Sequence, residues 1–515
     1  VRDLEIPSVS DSPAIDLAID TIRIGKQALI FCNTKSTAEA TAEKIAGKIK
    51  DKTMKGLSEQ VLHALSSPTR QCKRLASCIE KGIAFHHAGL AHSQRKIVED
   101  NFRKGDIKII CCTPTLAFGL NLPAFRAIMK DLKRYGGRWG MQWIPVLEYQ
   151  QCIGRAGRPD FNDRFGEAIS ISQTEGEKDT LIEKYLKGEP EPVLSKLAVE
   201  PVLRTYVLSL VAMDFVTDRQ RLKDFFAKTL YGHQYGDIEK LDMILSKIIK
   251  SLAEWGFLEK ADDDFMSADQ MEKEALRATP LGARVSQLYI DPFTANLMIC
   301  AMRRTSEKMA DEHSFVHMAA NTFELKPYFN VRTKELEAVE EYLNEIETIV
   351  LEPSIYEAEY DEFLNATKTS LVLSEWMDEE EEDTLLDKYN VRPGELAAKK
   401  DNCDWVLYGA EELAKILGLG CVSLVRKTRF RLNHGIKEEL ISLVRLKGIG
   451  RVRARKLFRN NIRDIGDIKK ADVTVLAQLV GKATALDIKK QVGEDIEAEK
   501  VPEGKRKGQK SMEDY

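Results

Sequence analysis

Cysteine is scarce in this 515-residue chain: there are nine, and no two stand as C-x-x-C. Spacing alone therefore assembles neither a zinc site nor a four-cysteine iron-sulfur site, no metal ligands are assigned, and reduced core thiols are expected. No apolar run approaches the roughly 18 to 20 residues needed to cross a bilayer, and Val1 opens no signal-peptide pattern. A soluble cytoplasmic protein with no membrane partner is the expectation. The phosphate loop G-x-x-x-x-G-K-[ST] is missing too, and no Asp-Glu box follows a predicted strand. Charge of one sign is lacking overall, since 77 Lys and Arg stand against 81 Asp and Glu for a net of -4. With 43% hydrophobic and 31% charged residues, the composition is that of a globular protein.

The length exceeds one compact core and suggests roughly three or four domains. The near-neutral total hides an asymmetry. Residues Arg426 to Arg463 hold 13 Lys or Arg and 2 Glu, a local net of +11 that invites a polyanion. The acidic run Asp378 to Asp383 reads as a solvated loop or helix end. Over the first ~170 residues, short apolar runs alternate with amphipathic segments, the signature of a parallel α/β sheet. Candidate strands are Gln27-Cys32, Gly82-His86, Ile107-Cys112, Ala124-Lys130 and Glu167-Ser172, with helices over Thr37-Ile49 and Ser93-Arg103 and Ser93 as N-cap. After Ser172 the strand pattern stops, and Gly188 to Pro192 marks a boundary.

The fold expected is multidomain. An α/β parallel-sheet domain over 1–190 comes first, followed by a winged helix over 191–290, a helical bundle over 291–428, a basic helix-hairpin-helix domain over 429–498 and a flexible tail over 499–515. The winged helix rests on the order of helices Val202-Met213, Arg219-Thr229 and Ile238-Trp255, then a short strand-like stretch at 256–260. The bundle rests on apolar stripes in Glu335-Ile349 and Cys403-Leu417.

The chemistry concentrates in Gln151-Cys152-Ile153-Gly154-Arg155-Ala156-Gly157-Arg158. Two arginines three apart would share one helix face, and the glycines would let backbones approach closely. Arginine offers a permanent charge and a rigid donor fork, which suits a γ-phosphate in a dissociative transition state. Upstream, Thr113-Pro114-Thr115-Leu116-Ala117-Phe118-Gly119-Leu120-Asn121 follows a buried strand, at the carboxyl end of the sheet where such folds bind ligands. Its hydroxyls suit a nucleic-acid phosphate, and Gly119 and Asn121 suit the nucleotide.

These segments resemble motifs V and VI of superfamily 2 helicases, and Ile30 to Lys35 and His86 to Leu90 resemble motif IV and the motif after it. The resemblance implies a second RecA-like motor domain. It implies catalytic roles for Gln151, Arg155 and Arg158, nucleotide contact through Gly119, Asn121, Arg155 and Arg158, and backbone contact to one strand through Asn33, Thr34, His87, Gly89, Thr113 and Thr115. In such enzymes ATP and Mg2+ lie between two motor domains, with the phosphate loop and magnesium carboxylate on the first. The sequence as given then holds half an ATPase site and is expected to be inactive alone, and Val1 in place of Met agrees with a chain truncated at its N-terminus.

Between motifs V and VI, two β-compatible arms around Gly136-Gly137-Arg138-Trp139-Gly140 predict a hairpin at about 125–145 with Trp139 at its tip. The order of motifs, hairpin, winged helix, bundle and basic domain closely resembles the archaeal Hjm helicases, Ski2-like DNA helicases that act at stalled replication forks, over essentially all 515 residues. The resemblance implies ATP-driven 3′ to 5′ translocation on single-stranded DNA and unwinding of forked or branched DNA in repair and recombination, with a ratchet helix at Gly394 to Leu417 whose Trp405 stacks on a base. The family tends to have an Arg seven residues before that Trp, and Ala398 departs from the pattern, flanked by Lys399 and Lys400.

In the final domain, Gly448 and Gly450 of Leu446-Lys447-Gly448-Ile449-Gly450 permit a tight turn aimed at a phosphate, and Arg451, Arg453, Arg455 and Lys456 add backbone attraction. The winged helix, with three Lys in its third helix, is read as a brace. Gln509, Met512 and Tyr515 in the tail resemble a motif for a sliding clamp or a single-strand-binding protein, and a disordered tail accounts for them equally. A Ski2-like RNA helicase and a non-catalytic DNA-binding scaffold remain alternatives at this stage, because the motor motifs do not read sugar type.

Overall fold

Four runs of four residues, ALIF, IAFH, IICC and RAIM, are buried along their whole length, as strands covered on both faces of a parallel sheet must be. They are β1 (Ala28–Phe31), β2 (Ile83–His86), β3 (Ile109–Cys112) and β4 (Arg126–Met129), seen in a computed structural model. A two-stranded ribbon, β5 (Lys133–Tyr135) and β6 (Met141–Trp143), follows, and then β7 (Glu167–Ser170). The structure describes residues 5–50, 53–65, 67–118, 121–136, 140–157, 165–235, 238–259 and 275–494.

The sheet runs β2-β3-β1-β4-β7, every neighbouring pair parallel. Its faces are covered by helices that include α1 (Pro13–Arg23), α2 (Lys35–Ala46), α3 (Lys55–Leu62), α4 (Arg70–Glu80), α5 (His92–Arg103) and α6 (Val146–Ile153). Phe31, Phe85 and Phe102 are fully buried in this core, each contributing about 1.5 to 3 kcal/mol. Arg126 is tolerated inside because Asp20 and Glu167 each accept from it at 2.6 Å.

Two local expectations need correction. The helix α5 starts at His92 with Ala91 as its cap, and the Ser93 hydroxyl instead donates to the Ala64 carbonyl at 3.4 Å. The hairpin is shorter than 125–145. Residues 126–129 belong to the central sheet, and only Lys133–Tyr135 and Met141–Trp143 pair antiparallel.

The chain divides into two compact units, the first of residues 1–193 with 382–397, the second of 194–381 with 398–515. The second is mostly helical. Its first part has helices Glu200–Ala212, Arg219–Ala227, Ile238–Glu254 and Pro280–Gln287, with isolated antiparallel bridges Asp218↔Ala275 and Leu258↔Ala278. Helices Pro292–Arg304, Glu312–Ala320, Leu336–Glu345, Tyr360–Met377 and Val422–His434 follow, together with most of the long helix Pro393–Ile416, whose first residues belong to the first unit. The stretch 436–492 packs around its own core, with Leu440, Leu457, Leu476 and Ile488 among its members.

Eight of the nine cysteines are buried and Cys300 is exposed; burial pushes the Cys32 and Cys152 thiols up to about 12. They behave as core atoms rather than as ligands. No helix among the described residues is long and apolar enough to cross a membrane.

Candidate functional site

The carboxyl ends of β1, β2 and β3 open into a cleft of about 510 Å³. Asn33, Thr34, Thr113 and Thr115 line it together, along with Arg134 from the ribbon and Arg392. Thr34 follows β1 and caps α2, its hydroxyl accepting from the Thr37 N–H at 3.0 Å. The Thr113 and Thr115 hydroxyls pair at 2.8 Å. The Asn33 side-chain amide donates to the Lys133 carbonyl at 3.2 Å, and its backbone N–H donates to Asp131. Asn33 thus ties the first arm of the ribbon to the strand end. Arg134 pairs with Glu148 at 2.9 Å on the other wall.

His87 and Gly89 lie elsewhere than expected. Both are buried behind the exposed Ala88. His87 Nδ1 accepts from the Gly89 N–H at 3.1 Å, so Nε2 carries the ring proton and donates to Glu39 at 3.1 Å. Burial holds His87 below its ordinary pKa against the pull of Glu39, and the ring is neutral. The missing Cβ of Gly89 makes room for the Arg392 side chain, which would lie 2.3 Å from it.

Glu39 is a buried hub. Its carboxylate accepts from Gln71 at 2.9 Å, His87 and Arg392 at 3.1 Å and Arg74 at 2.6 Å. Burial alone would raise this carboxyl, but the hydrogen bonds from His87 and Gln71 and the charge of Arg392 hold it well below the usual carboxylate range.

The arginine motif departs from one helix face. The helix α6 ends at Ile153, Gly154 caps it, and Ala156 bridges in parallel to Ala124. Arg155, 7% exposed, lies beyond the helix and donates to the Ala117 carbonyl, joining the motif to the loop after β3. Gly157 has φ +70°, and a Cβ there would meet the Gly166 nitrogen at 2.5 Å, so close backbone approach does require this glycine. Gln151 and Asn121 are exposed. Arg158 and Gly119 lie outside the described residues, as do Trp139 and the tail with Gln509, Met512 and Tyr515. Among the described residues of the ribbon, the exposed large apolar side chains near the tip are Tyr135, 74% exposed, and Met141.

In the second unit, Trp405 is 37% exposed and its indole N–H donates to the Leu288 carbonyl at 3.0 Å. Tyr408, one turn on, is equally exposed. The lysines flanking Ala398 are directed inward: Lys399 donates to the Leu325 carbonyl and Lys400 stacks 3.9 Å over Trp376. Gly448 takes φ +83° and Gly450 caps the helix Arg451–Arg459. Of its arginines, Arg453 returns to the Gly448 carbonyl at 2.7 Å. Arg451 stacks 4.7 Å over Trp376 and donates to the Glu380 carbonyl, while Arg455 pairs with Glu379 and Glu439. The acidic run is therefore not simply solvated: Asp378 pairs with Arg431 at 2.7 Å and Glu379 with Arg455, making it the counter-charge of the basic stretch.

Three protein-family profiles match the chain, each by its description: helicase conserved C-terminal domain over residues 13–160, archaeal helicase domain 4 over 313–435, and SAM-like helix-hairpin-helix tandem over 438–494. The class is thus that of helicase-family proteins, with a parallel-sheet domain followed by mostly helical domains and a helix-hairpin-helix motif. Similar proteins named ATP-dependent DNA helicase Hel308 include that of Pyrococcus abyssi, 37% identical over 503 residues, covering 96% of this chain and 67% of the relative. Those of Methanocella arvoryzae and Methanococcus vannielii are 34% and 36% identical, over 93% and 90% of this chain. The chain belongs to the Hel308 helicase family, and it spans 65% of the length of these last two relatives.

Proposed function

We propose that this chain is the C-terminal part of an ATP-dependent DNA helicase that moves 3′ to 5′ along a single strand and opens forked or branched DNA in replication-fork repair and recombination. One observation carries the reading: Asn33, Thr34, Thr113 and Thr115, from loops far apart in sequence, meet with Arg134 and Arg392 around one cleft at the carboxyl ends of a parallel sheet. Hydroxyls, amides and guanidinium groups suit a phosphate backbone and carry no base code, so binding is independent of sequence.

The ribbon β5–β6 adjoins this cleft through Arg134 and presents Tyr135 and Met141 to wedge between base pairs, with Trp139 of the intervening turn as a third candidate. Trp405 stacks on a base of the translocating strand, a contact worth about 1 to 3 kcal/mol. Gly448, Gly450, Arg451, Arg453 and Arg455 hold a phosphate further along the DNA. The helices at 200–254, followed by antiparallel bridges, support the reading of a winged helix, and those at 292–434 that of the ratchet bundle.

Gln151, Arg155 and Arg158, with Gly119 and Asn121, form the nucleotide-facing set. They are hydrogen-bond donors and fit phosphate oxygens rather than a metal; among the described residues, no three His, Cys, Asp or Glu gather as a metal requires. ATP, when bound, supplies the free energy of γ-phosphate transfer to water, and the magnesium carboxylates belong to another domain of the complete enzyme. Arg155 joins this set to the strand-binding loop through the Ala117 carbonyl, so a shift of the guanidinium toward phosphate moves the loop after β3. In the complete enzyme, forked DNA should be unwound with ATP and not without it. A preference for a single-stranded RNA overhang over forked DNA overturns the reading.

A further inference from the structure

The segment 390–395 is 353 residues from Glu39 in sequence at its Arg392, yet it packs into the same unit as the strand-binding loops. The contact is backbone on backbone. The Gly394 N–H donates to the Gly89 carbonyl at 3.0 Å, and a Cβ on Gly394 would meet the Ala88 and Leu90 carbonyl oxygens at 2.4 Å. Both glycines are therefore required for the approach: a Cβ on Gly394 would strike the backbone of 88–90, and one on Gly89 would strike the Arg392 side chain at 2.3 Å. Over them lies Arg392, its Nε donating to Glu39 at 3.1 Å and its Nη2 to the Ser36 hydroxyl at 3.1 Å. Glu395 completes the turn, accepting from the Arg392 N–H at 3.0 Å and pairing with Lys35, which begins α2.

We infer that Arg392 is a positioning residue of the strand-binding cleft, locking the loop His87–Leu90 and the start of α2 to the first turn of helix Pro393–Ile416 through the buried Glu39 carboxylate. The inference rests on the reading of the cleft as a site for a DNA strand. Three elements that line it, the end of β1, the turn after β2 and the segment 390–395, share no covalent neighbourhood, and the Glu39 carboxylate is the atom group on which they converge. Neutral His87 passes the constraint on by accepting the Gly89 N–H, so the Ala88 backbone at the cleft wall takes one conformation. Arg392 is buried and each of its three guanidinium nitrogens has a partner, Nε with Glu39, Nη2 with Ser36 and Nη1 3.9 Å from Glu395, so its part is to fix the wall rather than to seize the ligand.

The test uses the complete enzyme with both motor domains, reading DNA-stimulated ATP hydrolysis against the concentration of an unlabelled single-stranded oligonucleotide. R392Q should raise the half-saturating DNA concentration about tenfold while lowering the saturated rate less than about threefold, and R392K should recover part of the loss. The double variant E39Q/R392Q removes the uncompensated buried charge; it should melt closer to wild type than R392Q yet keep the raised half-saturation. A half-saturation restored to wild type in the double variant means that Arg392 only neutralises Glu39, and overturns the inference. So does an unchanged value in folded R392Q; where R392Q does not fold, an unchanged value in R392K has the same force. A wild-type enzyme that shows no DNA stimulation rejects the strand-binding reading itself, an outcome read before any variant is compared.

Discussion

Glu379 accepts the Arg455 guanidinium on both oxygens, Oε2 from Nε at 2.7 Å and Oε1 from Nη2 at 2.5 Å. It does so with a backbone φ of +76°, a region that costs a non-glycine residue roughly 1 kcal/mol. A carboxylate thus occupies, in a strained turn, an arginine fork whose geometry also suits a phosphate.

Glu379→Gln weakens that hold while Glu439 keeps its own contact with Arg455. Affinity for single-stranded DNA should rise about threefold at low salt, with the log-log salt slope steeper by about one. Fluorescence anisotropy titrations at several salt concentrations check this, and an unchanged slope means that Arg455 does not reach the backbone.

Arg155 and Arg158 should separate by their failure modes. In the complete enzyme, Arg158→Ala should abolish DNA-stimulated phosphate release and leave DNA binding within a few fold. Arg155→Ala should do the same and also lower the melting temperature, because the Ala117 carbonyl loses its buried donor, at a cost of about 1 to 3 kcal/mol. Wild-type ATPase in Arg158→Ala removes its assignment to phosphate.

If Trp405 stacks on the strand as proposed, Trp405→Ala should reduce strand separation about tenfold and ATP hydrolysis less than about threefold. Trp405→Phe, which keeps an aromatic face and loses only the bond to the Leu288 carbonyl, should retain most unwinding. Equal loss of both activities in Trp405→Ala shows a packing role instead.

His317 gives the helical unit an acid weakness. Burial lowers its pKa to about 4, and its partners Thr367, Asn321 and Thr348 carry no charge to offset a proton. Between about pH 6.5 and 4 the unfolded imidazole binds a proton that the folded one refuses. The stability contribution is therefore full above pH 6.5 and drains as pH falls, with a slope approaching about 1.4 kcal/mol per pH unit. Thermal melting from pH 7.5 to 4.5 should show this slope, and His317→Asn should flatten it.

The strands were legible because burial on both faces leaves uninterrupted apolar words such as ALIF and IICC. The loop of Thr113 and Thr115 follows from the buried strand before it, whereas Asn33 and Thr34 are picked out by the motif resemblance. Other features depend on partners that no local window contains. Arg392 has Glu39 as its counter-ion across 353 residues, and the acidic run answers arginines 53 and 76 residues away, so one looked ordinary and the other looked solvated. His87 and Gly89 of the motif have structural roles that no local window contains: His87 bonds to Glu39, and Gly89 admits the Arg392 side chain. The helical reading of Arg155 failed because Gly154 caps α6 and the next residues extend to meet Ala124.

The cysteine distribution has a practical side. Cys300 lies exposed on the helix Pro292–Arg304 while the other eight thiols are sealed in cores. A maleimide dye should therefore attach at a single position of these 515 residues, giving a site-specific optical label without removing one cysteine.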